Sequence, residues 1–192
     1  ARLGEVLNRK IHSHPLHATI IYLLLLTGCR SSEITDLTWS EVKGGRLLLH
    51  DSKIGPRTVW LGDEARTLLA SLERRGGSDP VFWNKLTQRP VGSIDAFWKV
   101  VKAEANLPGV RIHDLRHSFA SHAAARSETL PMIGKLLGHA RLQTTSRYAH
   151  LDDGPVLDAA ERIGELIADA MGEDHSLNYN TMCDIGALIH DR

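Results

Sequence analysis

The stretch "HDLRHSFASH", residues 113–122, sets three histidines, an aspartate and an arginine in ten positions, with Phe119 its only aromatic. Residues 114–126 read as a helix, and the spacing puts His113 and Arg116 one helical turn apart. A group able to move a proton thus stands beside a fixed cation, with His117 and His122 close by.

Working outward, most of the chain reads as helix. "HPLHATIIYLLLLTG", 14–28, gives an apolar helix over 15–27 stopped by Gly28, after a first helix over 2–12. "RSSEITDL", 30–37, has the form of a capping box, with a serine at 31 or 32 ahead of Glu33 and Asp36. Arg30 therefore sits just before a short helix, where the chain changes direction. "RLLLH" (46–50) and "TVWL" (58–61) read as short strands on either side of "DSKIGP", whose Gly55 and Pro56 are turn formers, so Lys53 lies on a hairpin. Further helices are expected over 63–75, 93–105, 130–138, 142–149 and 155–171. The fold class is mainly α with a small antiparallel β-sheet (α+β).

Composition narrows the function. Hydrophobic residues make up 42% of the 192 and charged residues 24%, ordinary values for a soluble globular protein. The longest apolar run, "IIYLLLL" at 20–26, is far short of a membrane span. Cys29 and Cys183 have neither metal-ligand spacing nor the pattern of a disulfide framework, which favours a reducing, cytoplasmic setting. The histidines of "HSHPLH", 12–17, match no ligand template, so no metal is expected. A net charge of zero hides two opposite parts: residues 1–150 hold 21 Lys+Arg against 13 Asp+Glu, a balance of +8, and residues 151–192 hold 2 against 10, a balance of −8. A basic body with an acidic end suits a polyanion surface and a separate segment that avoids or masks it.

Beyond residue 122 comes "LLGHARLQTTSRYAH", 136–150, in which His139 precedes Tyr148 by nine residues. With Arg30 in "TGCRSSEITDL" and Lys53 in "SKIGPRTVWL", this pattern resembles the tyrosine recombinase (phage integrase) family over roughly residues 15–152. All six of that family's active-site positions have a matching residue in order: Arg30, Lys53, His113, Arg116, His139 and Tyr148. The resemblance implies the fold of that family's catalytic domain and a site-specific recombinase or integrase that breaks and rejoins DNA strands. It implies no cofactor and no metal.

The residue types suit that chemistry. The equatorial oxygens of a pentavalent phosphorane need neutralising, and the rigid fork of arginine fits phosphate, so Arg30 and Arg116 form the expected clamp. A tyrosine hydroxyl, with a pKa near 10, needs a base or a cationic site before it attacks. His113 is the candidate base, His139 a donor to a non-bridging oxygen, and Tyr148 the nucleophile that forms a 3′-phosphotyrosyl link. Lys53, by resemblance, protonates the leaving 5′-oxygen. Glu33 and Asp114 stand where each could hold an arginine in one orientation, or simply favour a helix N-terminus through its dipole. His117 resembles a family position near the site and has no assigned proton. Taken singly, Arg30 is an ordinary capping or surface charge, Lys53 a solvated turn residue, Tyr148 a core aromatic and His139 a helix cap; their joint order carries the reading.

The resemblance further implies a catalytic domain over residues 1–172 and a tail over 173–192, which docks on a neighbouring subunit or is disordered. The N-terminal domain with which family members grip the other face of DNA is expected to be absent from this chain. The implied partners are double-stranded attachment or recombination sites, a tetramer of subunits on synapsed DNA and accessory DNA-bending proteins, and the implied location is the nucleoid of a cytoplasm. Where the family has a glycine turn after the helix of 114–126, this chain has "RSET", 126–129, so the left-handed position falls to Ser127 or shifts in register. Two other functions use parts of the same pattern. One is type IB topoisomerase-like DNA relaxation; the other is a non-catalytic helix-turn-helix module over "SFASHAAARSETLPMIGKLLGH".

Overall fold

One helix, hydrophobic on all sides, fixes where the core lies. In chain order the elements are α1 (Arg2–Lys10), α2 (Pro15–Thr27), α3 (Ser31–Thr35), β1 (Val42–Lys43), β2 (Arg46–Leu49), β3 (Arg57–Trp60), α4 (Asp63–Ala70), β4 (Trp83–Asn84), β5 (Arg89–Pro90), α5 (Asp95–Glu104), α6 (Ile112–Ala124) and α7 (Leu130–Leu137). They are seen in a computed structural model that describes residues 2–50, 55–74, 76, 79–139 and 145. α2 starts at Pro15, whose fixed φ suits a first helical turn, and buries Ala18, Ile20, Ile21, Leu23 and Leu24. Around it pack α1, α3, α4 and α6. Each fully buried leucine or isoleucine contributes roughly 1.5–3 kcal/mol, so α2 is the element that the rest of the fold is built against.

β1, β2 and β3 form an antiparallel sheet in that order, with Leu47 opposite Val59 and Leu49 opposite Arg57. Leu47, Leu49 and Val59 are buried, so the inward face of the hairpin includes position 57. α7 packs on α6 through a small second cluster of Ala120, Ala124, Ile133 and Leu137.

The expected mainly helical fold with a small antiparallel sheet is the one observed, with differences at the ends of elements. α3 is capped by Arg30, not by a serine: the Arg30 N–H donates to Glu33 Oε2 at 2.7 Å, which makes Ser31 the first helical residue. α6 begins at Ile112, two residues early, because the Asp114 carboxylate accepts from the Arg111 N–H at 2.8 Å and fixes Arg111 as the cap. His113 therefore lies inside the first turn. Ser127 does take the left-handed conformation, with φ 62°. The strands β1, β4 and β5 were not expected, since two-residue strands leave no period to read. The helices expected over 142–149 and 155–171, the tail over 173–192, Lys53 and Tyr148 lie outside the described residues. Among the described residues no helix is long and apolar enough to cross a membrane.

Candidate active site

α2 and α7 end in the same way. Gly28 (φ 62°) caps one and Gly138 (φ 67°) the other, both left-handed, a conformation that costs glycine little. Space demands glycine as well: an added Cβ would stand 2.6 Å from Phe119 Cδ1 at Gly28 and 2.7 Å from Arg57 Nη1 at Gly138. Between the two helix ends lies the buried Arg116 of α6. Its Nη1 donates to the Gly28 carbonyl at 2.6 Å and its Nη2 to the Leu137 carbonyl at 2.7 Å. Carbonyls at helix C-termini lack intrahelical partners and carry the negative end of the dipole, so they form a cradle for a guanidinium.

Glu33 is the second anchor. Its Oε1 accepts from Arg30 Nη1 at 2.8 Å and from Arg57 Nε at 3.1 Å; its Oε2 accepts from Arg57 Nη2 at 2.7 Å and from the Arg30 N–H. Burial alone would raise this carboxyl, yet the hydrogen bonds from Arg57 and Arg30 hold it below its usual range. Arg30 keeps a quarter of its side chain open, at 23% exposed, whereas Glu33 is shut in at 2%.

Two guanidiniums thus bind one carboxylate, and Arg116 lies near enough to be repelled by both. Burial, and then the neighbouring Arg30 and Arg57 cations, bring Arg116 down from 12.5 to about 10, so it stays charged at neutral pH in a pocket where, among the described residues, negative charge is short. An anion entering beside it would relieve that shortage. His113, one turn before Arg116, is lowered from its ordinary 6.5 by burial and by His117 and Arg116, which keeps its ring neutral near pH 7. The His113 and His117 rings meet edge to face at 5.0 Å. Cys29 is buried beside Arg57 and burial pushes its thiol up, so it is an inert neighbour.

His139 follows the Gly138 cap, donates its N–H to the Gly134 carbonyl at 2.8 Å and has Nδ1 2.9 Å from Thr145 Oγ1. Arg30, Arg116, His113 and His139 therefore gather where α2, α6 and α7 meet. Lys53 and Tyr148 fall outside the described residues. Asp114 does not orient Arg116: it binds Arg111, at 3.2 Å from Nε and 2.9 Å from Nη2, and these bonds hold its carboxyl at about 2. Arg116 is held by carbonyls instead. The residue that sequence reading passed over is Arg57. It shares the inward face of β3 with Val59, and a charge at an inward position of an alternating strand was the available signal. Among the described residues no group of three or more His, Cys, Asp or Glu side chains could hold a metal ion.

Comparison with known proteins gives the family and the fold. The model of the phage integrase family matches residues 3–154. Tyrosine recombinase XerC of Lactobacillus leichmannii is 30% identical over 166 residues, covering 78% of this chain and 56% of that protein; XerA of Pyrococcus furiosus is 30% identical over 151 residues, covering 74% and 53%. The catalytic domain of bacteriophage HP1 integrase superposes with a TM-score of 0.65 at 27% identity, covering 83% of this chain and 90% of that domain. The Tn1549 transposon integrase, solved in complex with circular intermediate DNA, shares the fold at 19% identity, with a TM-score of 0.65 over 83% of this chain and 64% of its own. This chain belongs to the phage integrase family, and its fold is that of a tyrosine recombinase catalytic domain. It spans about half the length of the curated relatives it matches.

Proposed function

We propose that the chain cuts and rejoins double-stranded DNA as the catalytic domain of a site-specific recombinase. The observation that carries this reading is the buried excess of guanidinium at the meeting of three helix ends. Arg30 and Arg57 share the Glu33 carboxylate, Arg116 is held by two helix-end carbonyls and is repelled by both of those cations, and Arg30 keeps 23% of its side chain exposed. A phosphodiester fits that need: it is anionic, and its non-bridging oxygens accept paired N–H donors.

In the reaction, Tyr148 Oη attacks phosphorus while His113 takes its proton. The P–O5′ bond breaks, Lys53 gives a proton to the departing 5′-oxygen, and a 3′-phosphotyrosyl link remains. Arg30, Arg116 and His139 hold the charge that builds on the non-bridging oxygens. Attack by a 5′-hydroxyl from another strand reverses these steps and releases the tyrosine, so the bond energy is retained. The basic balance of residues 1–150 and the DNA complex solved for the Tn1549 integrase support DNA as the substrate. Exchange between two duplexes calls for a tetramer on synapsed sites, with a nucleoid location. A plain helix-turn-helix module leaves the buried arginine cluster without a purpose.

The test is trapping on a nicked suicide duplex of the native attachment site. The wild-type chain forms a covalent adduct that peptide mass spectrometry assigns to Tyr148, and Tyr148→Phe binds the duplex without forming it. An adduct on Tyr22 or Tyr179, or one that survives in the Phe variant, overturns the reading.

A further inference from the structure

Arg57 begins β3 and lies four residues beyond Lys53. Its side chain is 7% exposed and touches three separate segments. It bridges both oxygens of Glu33 on α3, approaches Cys29 Sγ at 3.5 Å just after α2, and donates to the Leu136 carbonyl of α7 at 3.4 Å while lying across Gly138. These are the segments that bear Arg30 and that lead into His139. The Leu49–Arg57 pair closes the hairpin, so wherever Arg57 is held, the hairpin's base is held too.

We propose that Arg57 is a positioning residue: by its two-pronged bond to Glu33, the carboxylate that also binds Arg30, it locks the base of the Lys53 hairpin in place, so that this ion pair sets the acid. The proposal rests on the reading of this chain as a strand-cleaving domain. Geometry, not charge alone, is what Arg57 supplies. A lysine keeps the charge but is a point donor on a flexible stem and cannot bridge two carboxylate oxygens in a plane.

The experiment compares single-turnover cleavage of an ordinary suicide duplex with that of one bearing sulfur at the bridging 5′ position, which leaves without an acid. Wild type, Lys53→Ala, Arg57→Lys and Arg57→Gln are measured, with DNA affinity and thermal melting for each. A misplaced acid slows cleavage by roughly 10- to 100-fold. Arg57→Lys is expected to show that loss on ordinary DNA with unchanged affinity, and to recover most of it on the sulfur substrate, as Lys53→Ala does. If Arg57→Lys does not fold, Arg57→Gln decides by the same pattern. Equal slowing on both substrates, no slowing on either, or failure of both variants to fold overturns the assignment and leaves Arg57 a core ion-pair partner. A wild-type chain that forms no adduct, or a Lys53→Ala defect that sulfur does not rescue, overturns the underlying reading instead.

Discussion

Arg116 Nη1 donates to the Gly28 carbonyl at 2.6 Å, joining residues 88 positions apart. The bond ties the α6 cation to the end of α2 two residues before Arg30, so one contact relates the two guanidiniums of the proposed clamp. Its donor is fixed by the fold, and its acceptor depends on a left-handed glycine.

Gly28→Ala tests that dependence. The variant combines a left-handed φ with a Cβ 2.6 Å from the Phe119 ring, and is expected to lose about 1–3 kcal/mol in urea unfolding. Its cleavage rate should fall further than stability requires, because the carbonyl under Arg116 is re-aimed. A fully active Gly28→Ala would show that this carbonyl's direction is unimportant.

Arg116→Met separates folding from chemistry. It leaves two helix-end carbonyls unpaired, at about 1–3 kcal/mol each, but it also removes a buried cation repelled by Arg30 and Arg57. The two effects oppose each other, so net destabilisation is expected to stay under about 3 kcal/mol while adduct formation is lost. A larger loss of stability with adduct formation retained would make Arg116 a structural residue.

Glu33 makes stability depend on acid. Its folded carboxyl titrates below the ordinary 4.5, so its contribution is fully present above pH 4.5 and disappears as pH falls through the lower folded value. Glu33→Gln, which strands Arg57 and Arg30, is expected to cost about 3–5 kcal/mol near neutrality. The gap between variant and wild type should narrow as the solution is acidified below 4.5. A gap that stays constant in denaturant titrations across that range would rule out the linkage.

His113, if it is the base, must be neutral to act. Its lowered value puts the acid limb of the single-turnover rate below 6.5, and His117→Asn, which removes a neighbouring charge, should move that limb upward. A pH–rate profile of the two proteins decides it; an unmoved limb assigns the proton to another group.

Much of this was legible in the one-dimensional chain because it depends on near neighbours. The apolar run of 15–27 can only be a buried helix, Gly28 stops it, and residues three apart in "HDLR" share a helix face whatever surrounds them. The order of Arg30, Lys53, His113, Arg116, His139 and Tyr148 was readable for the same reason, as short motifs. Tertiary structure alone decided which groups hold Arg30 and Arg116. Asp114 is next but one to Arg116 yet serves Arg111, since a carboxylate at the third helical position reaches back to its own cap. Arg116 is held by carbonyls 88 and 21 residues away, and Glu33 is shared with Arg57 across 24. No local periodicity encodes such pairs; they arise when packing brings two helix ends and a strand's inward face to one point, where a buried charge must find whatever acceptor lies within reach.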